Sequence, residues 1–272
     1  MSDPPRRRAA RDRVRSVLGR LADALPAPLA QPAFRLWERL SALGAGAGDS
    51  DDGLPLPPPY LRVLTAGAAR ADHFLILGRR SAEEILRLAA GHGLQPDGAA
   101  ILEFGVGCGR VARHVVRAAP AAAFHGCDVD PRLLGWSRAN LPGAYALTRP
   151  DPPLPYAKAA FDLVYALSVF THMHEPAARV WLAELARVTR PGGLAILSHL
   201  DDRLPQAADV APALARDGFA VRREGAEGSN LLCGYFTGEG FAARAAPAWT
   251  LLQSLPSDQG ATGQALAVFR RV

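Results

Sequence analysis

Between residues 100 and 199, short apolar runs alternate with stretches whose apolar residues recur at helical spacing, and few patterns constrain a chain more tightly. The runs lie at 100–104, 122–128, 144–148, 161–167 and 194–199. Each is of strand length, and helices are predicted between them at 110–118, 131–140 and 176–189. Strands joined through helical crossovers build a largely parallel sheet with both faces covered. The expected fold class is therefore α/β, a doubly wound and mostly parallel sheet. Two further runs, 249–255 and 263–270, flank a short Pro/Ser/Asp/Gly segment and read as a closing antiparallel hairpin. Ahead of the first strand, Ser81-Ala82-Glu83-Glu84 has the pattern of a capping box and predicts a helix opening at Ser81.

At 272 residues and 49% hydrophobic content, the chain is long enough for one large domain with an extension. Its charge is unevenly placed. Residues 1–40 hold nine arginines against four acids, a net +5 that equals the charge of the whole chain. The other 232 residues balance at 22 basic and 22 acidic side chains, which leaves no excess for gripping a phosphate backbone. Nucleic acid is thus excluded as a partner of the main body. Val14, Val17, Leu18, Leu21 and Leu25 follow helical spacing with arginines between them, and Phe34, Trp37, Leu40 and Leu43 form a second stripe. Such basic amphipathic segments suit an anionic membrane surface, or packing on the body or on a partner protein. The glycine-rich run 44–53 reads as a flexible linker, dividing the chain into an extension (1–53) and a main domain (54–272). The extension is expected to be dispensable for cofactor binding.

Cys108, Cys127 and Cys233 form no CxxC pair, so neither a disulfide framework nor a thiolate metal site is indicated. The longest uncharged run, 245–257, falls short of the roughly 18 apolar residues of a membrane span. A cytoplasmic location is expected, with peripheral membrane contact through the extension as the variant of that reading.

The densest chemical signal is Ile101-Leu102-Glu103-Phe104-Gly105-Val106-Gly107-Cys108-Gly109-Arg110, an apolar strand running through three glycines into a helix. Glycine there lets the backbone turn sharply and approach a ligand closely. In an open parallel sheet, ligands sit at the carboxyl ends of the strands. Asp128 ends the next apolar run, where a carboxylate can accept hydrogen bonds from both hydroxyls of a ribose. Asp130, just before Pro131, suits a helix cap better. The segment Gly107-Cys-Gly109-Arg-Val-Ala112 formally satisfies a dinucleotide-binding pattern. Against that, Glu103 sets a negative charge at the base of the turn, which disfavours a pyrophosphate and favours an ammonium or sulfonium group.

These residues resemble those of the class I S-adenosylmethionine-dependent methyltransferases. Glu103-Phe-Gly105-Val-Gly107-Cys-Gly109 is similar to their first motif and Gly126-Cys-Asp128-Val129-Asp130-Pro131 to their second. Phe161-Asp162-Leu-Val-Tyr165 resembles their fourth strand, and Arg187-Val-Thr-Arg190-Pro191-Gly192-Gly193 the turn into their fifth. Leu167-Ser168-Val169-Phe170-Thr171-His172 resembles a bacterial subgroup acting on small molecules or on glycan- and lipid-linked acceptors. The resemblance implies a seven-stranded Rossmann-like sheet and S-adenosylmethionine as cofactor. It implies Gly105, Gly107 and Gly109 beneath the methionine part, Glu103 near its ammonium, Asp128 on the ribose and Val129 on adenine. Asp151, flanked by Pro150 and Pro152, is implied at the adenine amine, and Ser168 beside the cofactor.

Asp151-Pro152-Pro153 also looks like the start of the D-P-P-Y motif of nucleic-acid amino-methyltransferases. That motif follows the fourth strand and ends in an aromatic residue, whereas here it precedes the strand and is followed by Leu154. Methyl transfer is an in-line displacement needing alignment and, for a hydroxyl acceptor, a base of near-neutral pKa. His172, after the fourth strand, and His199, ending the fifth, are the candidate bases, with His174 alongside. Tyr60, His73 and Tyr235 are weaker acceptor-binding candidates. O-methylation of a small-molecule, glycan- or lipid-linked acceptor is the expected reaction. The alternatives are an NAD(P)-dependent oxidoreductase and a non-catalytic adenosylmethionine-binding module.

Overall fold

The computed structural model describes residues 27–223 and 231–272, so the arginine-rich stripe expected over 11–25 lies outside the described residues. Three helices come first, α1 (Ala27–Ala42), α2 (Pro59–Ala66) and α3 (Ala71–Gly91). The alternating part follows as β1 (Ala100–Phe104), α4 (Ala112–Ala118), β2 (Ala123–Asp128), α5 (Pro131–Asn140), β3 (Ala144–Leu147), β4 (Phe161–Ala166), α6 (Glu175–Val188) and β5 (Thr189–His199). The chain ends through α7 (Ala211–Asp217), β6 (Phe219–Arg222), β7 (Cys233–Phe236), α8 (Gly238–Ala245), β8 (Trp249–Leu255) and β9 (Ala265–Arg271).

Seven strands form one sheet in the order β3-β2-β1-β4-β5-β9-β8. The first five are mutually parallel, and β9 enters antiparallel between β5 and β8. The alternation of side chains along each strand divides the core in two. Leu102, Phe104, Val164 and Leu197 pack with Trp181, Leu182 and Leu185 of α6 on one face. Ile101, Leu163, Tyr165 and Ile196 pack with Ile85 and Leu88 of α3, Val115 and Leu134 on the other. Glu103, between Leu102 and Phe104, therefore belongs to the face carrying Tyr165. Strands β6 and β7 form a separate antiparallel pair.

Three local expectations change. The helix predicted to open at Ser81 starts ten residues earlier, at Ala71, and Ser81 is buried within it. Its buried face continues back through Gly78 to Phe74. A Cβ on Gly78 would lie 2.1 Å from the Arg110 carbonyl oxygen, so glycine here serves close helix packing rather than a break. The second change is at β5, which pairs from Thr189 instead of 194; Phe161 is opposite Thr189 and Leu163 opposite Leu194, so a bulge absorbs the Pro-Gly-Gly turn.

The third change concerns the glycine-rich run 44–53, which is tied down at both ends. Buried Arg62 donates to the carbonyls of Ala47 (2.6 Å) and Gly46 (2.7 Å). Asp52 forms a buried ion pair with Arg113 of α4, Nη2 to Oδ1 at 2.7 Å. Burial alone would raise the Asp52 pKa, but the Arg113 and Ser50 hydrogen bonds hold it well below the usual range. A bivalent tether of charge-assisted bonds replaces flexibility.

Candidate functional site

A cleft of about 1120 Å³ opens at the carboxyl ends of β1, β2 and β4. That exceeds the roughly 300–1,000 Å³ typical of a single-ligand pocket and leaves room for a cofactor together with a second molecule. Its floor is the glycine turn after β1. Gly107 has φ +56, and a Cβ there would meet Thr65 of α2 at 2.9 Å, so turn geometry and the helix above both demand glycine. Gly105 and Gly107 line the cleft; Gly109 does not. A Cβ on Gly109 would lie 2.1 Å from Leu141 Cδ1, which places its constraint in packing against the end of α5.

Two carboxyl groups flank the turn. Glu103 is 3% exposed at the cleft floor, and the Tyr165 hydroxyl donates to its Oε2 at 2.8 Å. Burial pushes its pKa up to about 8, against the Tyr165 hydrogen bond and the nearby Arg110 charge. Asp128 terminates β2, one strand over. Its Oδ2 accepts from Gly107 N at 2.7 Å and its Oδ1 from Asp130 N at 2.8 Å. Burial raises the Asp128 pKa while those amides oppose the shift. Val129, 53% exposed, lines the cleft beside it. Asp130 caps α5 by accepting from Arg132 N at 2.8 Å, the role the sequence suggested for it.

Beyond β4, Ser168 lines the cleft with a left-handed backbone, φ +60. Its N–H donates to Ser198 Oγ at 2.8 Å, its Oγ accepts from Gln264 Nε2 at 2.8 Å, and Ser198 Oγ donates to Gln264 Oε1 at 2.7 Å. This closed ring holds an otherwise unfavourable conformation in place. His172 lines the same wall, its Nδ1 2.9 Å from the Leu232 carbonyl. Only a protonated Nδ1 bonds a carbonyl, so Nε2 carries the lone pair in the neutral ring. Burial lowers the His172 pKa below 6.5, with the Leu232 bond opposing.

Other candidates stand elsewhere. His199 is 1% exposed and packs against Phe241 and Phe236, ring centroids at 4.9 and 6.2 Å. Strand alternation explains it: Ser198 points toward the cleft network, so His199 points to the opposite face. Asp151 is exposed and lies outside the cleft, although Thr148 and Pro150 line it. His73 is exposed on α3 and Tyr235 is buried in the β6–β7 pair; neither lines the cleft. Tyr60 and His174 do.

Sequence reasoning missed three contributors. Gln264 acts on Ser168 across 96 residues, a pairing without any local signal. Thr65 roofs the glycine turn, accepting from Cys108 N at 3.3 Å. The outcome for α1 is larger: Gln31, Phe34, Trp37 and Glu38 line the cleft, so the second stripe packs on the body, one of the placements expected for it, and there walls the site. The helical stripe in the sequence was the available clue, without a sign of what it faced.

Two carboxyl groups, a backbone-lined turn and an apolar shelf suit an adenosyl ligand bearing positive charge. Among the described residues no cation hydrogen-bonds Glu103, and an ammonium group there would favour its ionised form. The comparisons agree. Residues 101–193 match the family model described as a methyltransferase domain. A malonyl-[acyl-carrier protein] O-methyltransferase of Hahella chejuensis is 30% identical over 140 residues, 50% of this chain and 48% of that protein. An uncharacterized methyltransferase of Mycobacterium leprae is 34% identical over 112 residues, 40% of this chain and 39% of that protein. The matches thus span less than half the length of these relatives. Among solved structures, a SAM-dependent methyltransferase from Methanosarcina mazei superposes with TM-score 0.50 at 14% identity, covering 67% of this chain and 96% of its own. A Pyrococcus horikoshii protein superposes with TM-score 0.51 at 16% identity, covering 71% and 91%. These findings do not favour the nicotinamide-dependent alternative. Residues 101–193 are thus similar to a methyltransferase domain, and the fold around them is that of a solved S-adenosylmethionine-dependent methyltransferase.

Proposed function

We propose that the protein transfers a methyl group from S-adenosylmethionine to an oxygen of a small-molecule, glycan- or lipid-linked acceptor. The observation that carries this reading is the pair Glu103 and Asp128, set on neighbouring strands beneath the glycine turn. The bound cofactor supplies an electrophilic methyl group on a sulfonium centre. In this reading Glu103 meets its ammonium, Asp128 accepts from its ribose hydroxyls, Val129 packs on its base, and Gly105, Gly107 and Ser168 border its methionine part. Gly109 supports the turn from behind. Asp151 and His199, outside the cleft, are assigned no contact with either reactant.

His172 is the proposed general base. Its Nδ1 is committed to Leu232 and burial favours its neutral form, so Nε2 is the group able to take a proton from an acceptor hydroxyl. The Hahella chejuensis relative is named an O-methyltransferase, which supports oxygen as the methylated atom. Residues 54–272 would form the catalytic unit, with α1 lent to its cleft by the preceding segment. No helix among the described residues is long and apolar enough to cross a membrane. Peripheral contact remains part of the proposal, because Leu29 and Leu36 of α1 and Leu43 just past its end recur every seven residues and are 60%, 50% and 57% exposed.

Calorimetric titration with S-adenosylmethionine tests the cofactor assignment. Asp128→Ala should weaken binding at least about tenfold, since one lost hydrogen bond to a charged group is worth more than a factor of ten. Asp130→Ala, which removes a cap, should change it less. Equal affinity in folded Asp128→Ala protein would sink the ribose role.

A further inference from the structure

Resting on the methyltransferase reading, the geometry points to an acceptor of one chemical class, an anionic amphiphile whose apolar segment lies along α1 and whose negative group sits at the Arg35–Arg39 rim. Phe34 and Trp37, one turn apart on α1, stack with centroids 5.2 Å apart and both line the cleft. Phe34 packs against the small buried cluster of Ala30, Leu231 and Leu232, and the Leu232 carbonyl holds His172. An apolar strip therefore runs from the aromatic pair to the proposed base, with Met173 continuing it on the cleft wall. An acceptor without an apolar segment would leave this strip wet.

Charge at the rim has one sign. Arg35 and Arg39 line the cleft and are exposed, and neither forms an ion pair or hydrogen bond among the described residues. The acids close to them are already spent. Asp130 is paired with Arg132 at 2.6 Å. Glu38 is buried, and that burial raises its pKa toward the neutral form despite Arg132 and Arg35. Two guanidinium groups one helical turn apart, beside an apolar strip, match a carboxylate or phosphate on an apolar chain. The neutral charge of the chain beyond residue 40 makes this positive rim a local feature.

Decanoate, decanol and decyltrimethylammonium serve as probes, each titrated calorimetrically into the full chain with and without saturating S-adenosylhomocysteine. Decanoate should bind saturably at one site, at least about fivefold more tightly than decanol, with decyltrimethylammonium the weakest, as expected for two partly exposed charges. Arg35→Glu combined with Arg39→Glu should abolish the preference for decanoate while leaving S-adenosylhomocysteine affinity unchanged. Trp37→Ala should weaken decanoate and decanol alike. If the charge-reversed chain does not fold, Arg35→Gln with Arg39→Gln replaces it and should show the same loss of preference. Decanoate that fails to saturate, that binds no better than decanol, or that keeps its preference after charge removal overturns the inference. Failure of S-adenosylhomocysteine to bind would instead overturn the methyltransferase reading, and the titration without it still reads the acceptor strip.

Discussion

At neutral pH the Glu103 carboxyl group holds its proton, because burial lifts its pKa to about 8. A cationic ligand favours the carboxylate and must expel that proton. The sign follows directly: affinity for S-adenosylmethionine should climb by up to about tenfold per pH unit from neutrality toward 8, then level off once the group is ionised in the free protein. Titrations in buffers of different ionisation heat would register the released proton, and Glu103→Gln should flatten the profile. A flat wild-type profile would show that the ammonium is held elsewhere. His172 gives the opposite reach. Its pKa is lowered from 6.5 by burial, so kcat/KM for a hydroxyl acceptor should rise with pH only below about 6.5 and be constant above it. His172→Gln should cost about 10²–10⁴ in kcat with cofactor affinity little changed. A near-normal rate would leave alignment alone to carry the chemistry. Glu103 and Asp128, at the carboxyl ends of β1 and β2, and His172, in the turn beyond β4, could be proposed from the sequence because parallel sheets put their sites there, and all three line the cleft. His199 met the same criterion and faces away, because strand phase depends on a register that the sequence does not display.

Among the elements, the parallel strands were the most legible. β1 begins and ends where its apolar run does, and β2, β3 and β4 depart from theirs by one residue at one end. Buried strands read as unbroken apolar runs, and little else in the chain looks like them. The region before residue 100 was legible only in part. A stripe such as Phe34-Trp37 announces a helix but not its partner, and a glycine run announces freedom that distant side chains can cancel. The tether supplied by Arg113 is a case in point, and it carries a prediction. Asp52→Ala would leave a buried guanidinium without its counter-charge, a change worth about 3–5 kcal/mol in comparable pairs. Urea unfolding should show a loss of that order, and hydrogen exchange should quicken at 46–62. A loss below about 1 kcal/mol would mean that water reaches Arg113 and that the pair is not the anchor.

For the whole molecule, α1 faces two ways, with Phe34 and Glu38 toward the cleft and Leu29 and Leu36, continued by Leu43 just past its end, toward solvent. If the outer stripe rests on an anionic bilayer, the full chain should cosediment with phosphatidylserine-containing vesicles at low salt. That binding should weaken as salt shortens the screening length below about 10 Å. Replacing the three leucines by serine should abolish it, with S-adenosylmethionine affinity preserved. Protein that ignores such vesicles at low salt would assign the stripe to another role. One buried atom can also keep time for the molecule. Cys108 Sγ lies 3.1 Å from Thr65 Oγ1 beneath α2, and burial pushes its thiol up to about 12. An alkylating reagent, which reacts with the thiolate, should reach it when α2 lifts away, whereas Cys233 is partly exposed. The alkylation rate of Cys108 is therefore a stopwatch for the opening of the roof, readable by mass spectrometry without any engineered label, and a ligand seated below should slow it.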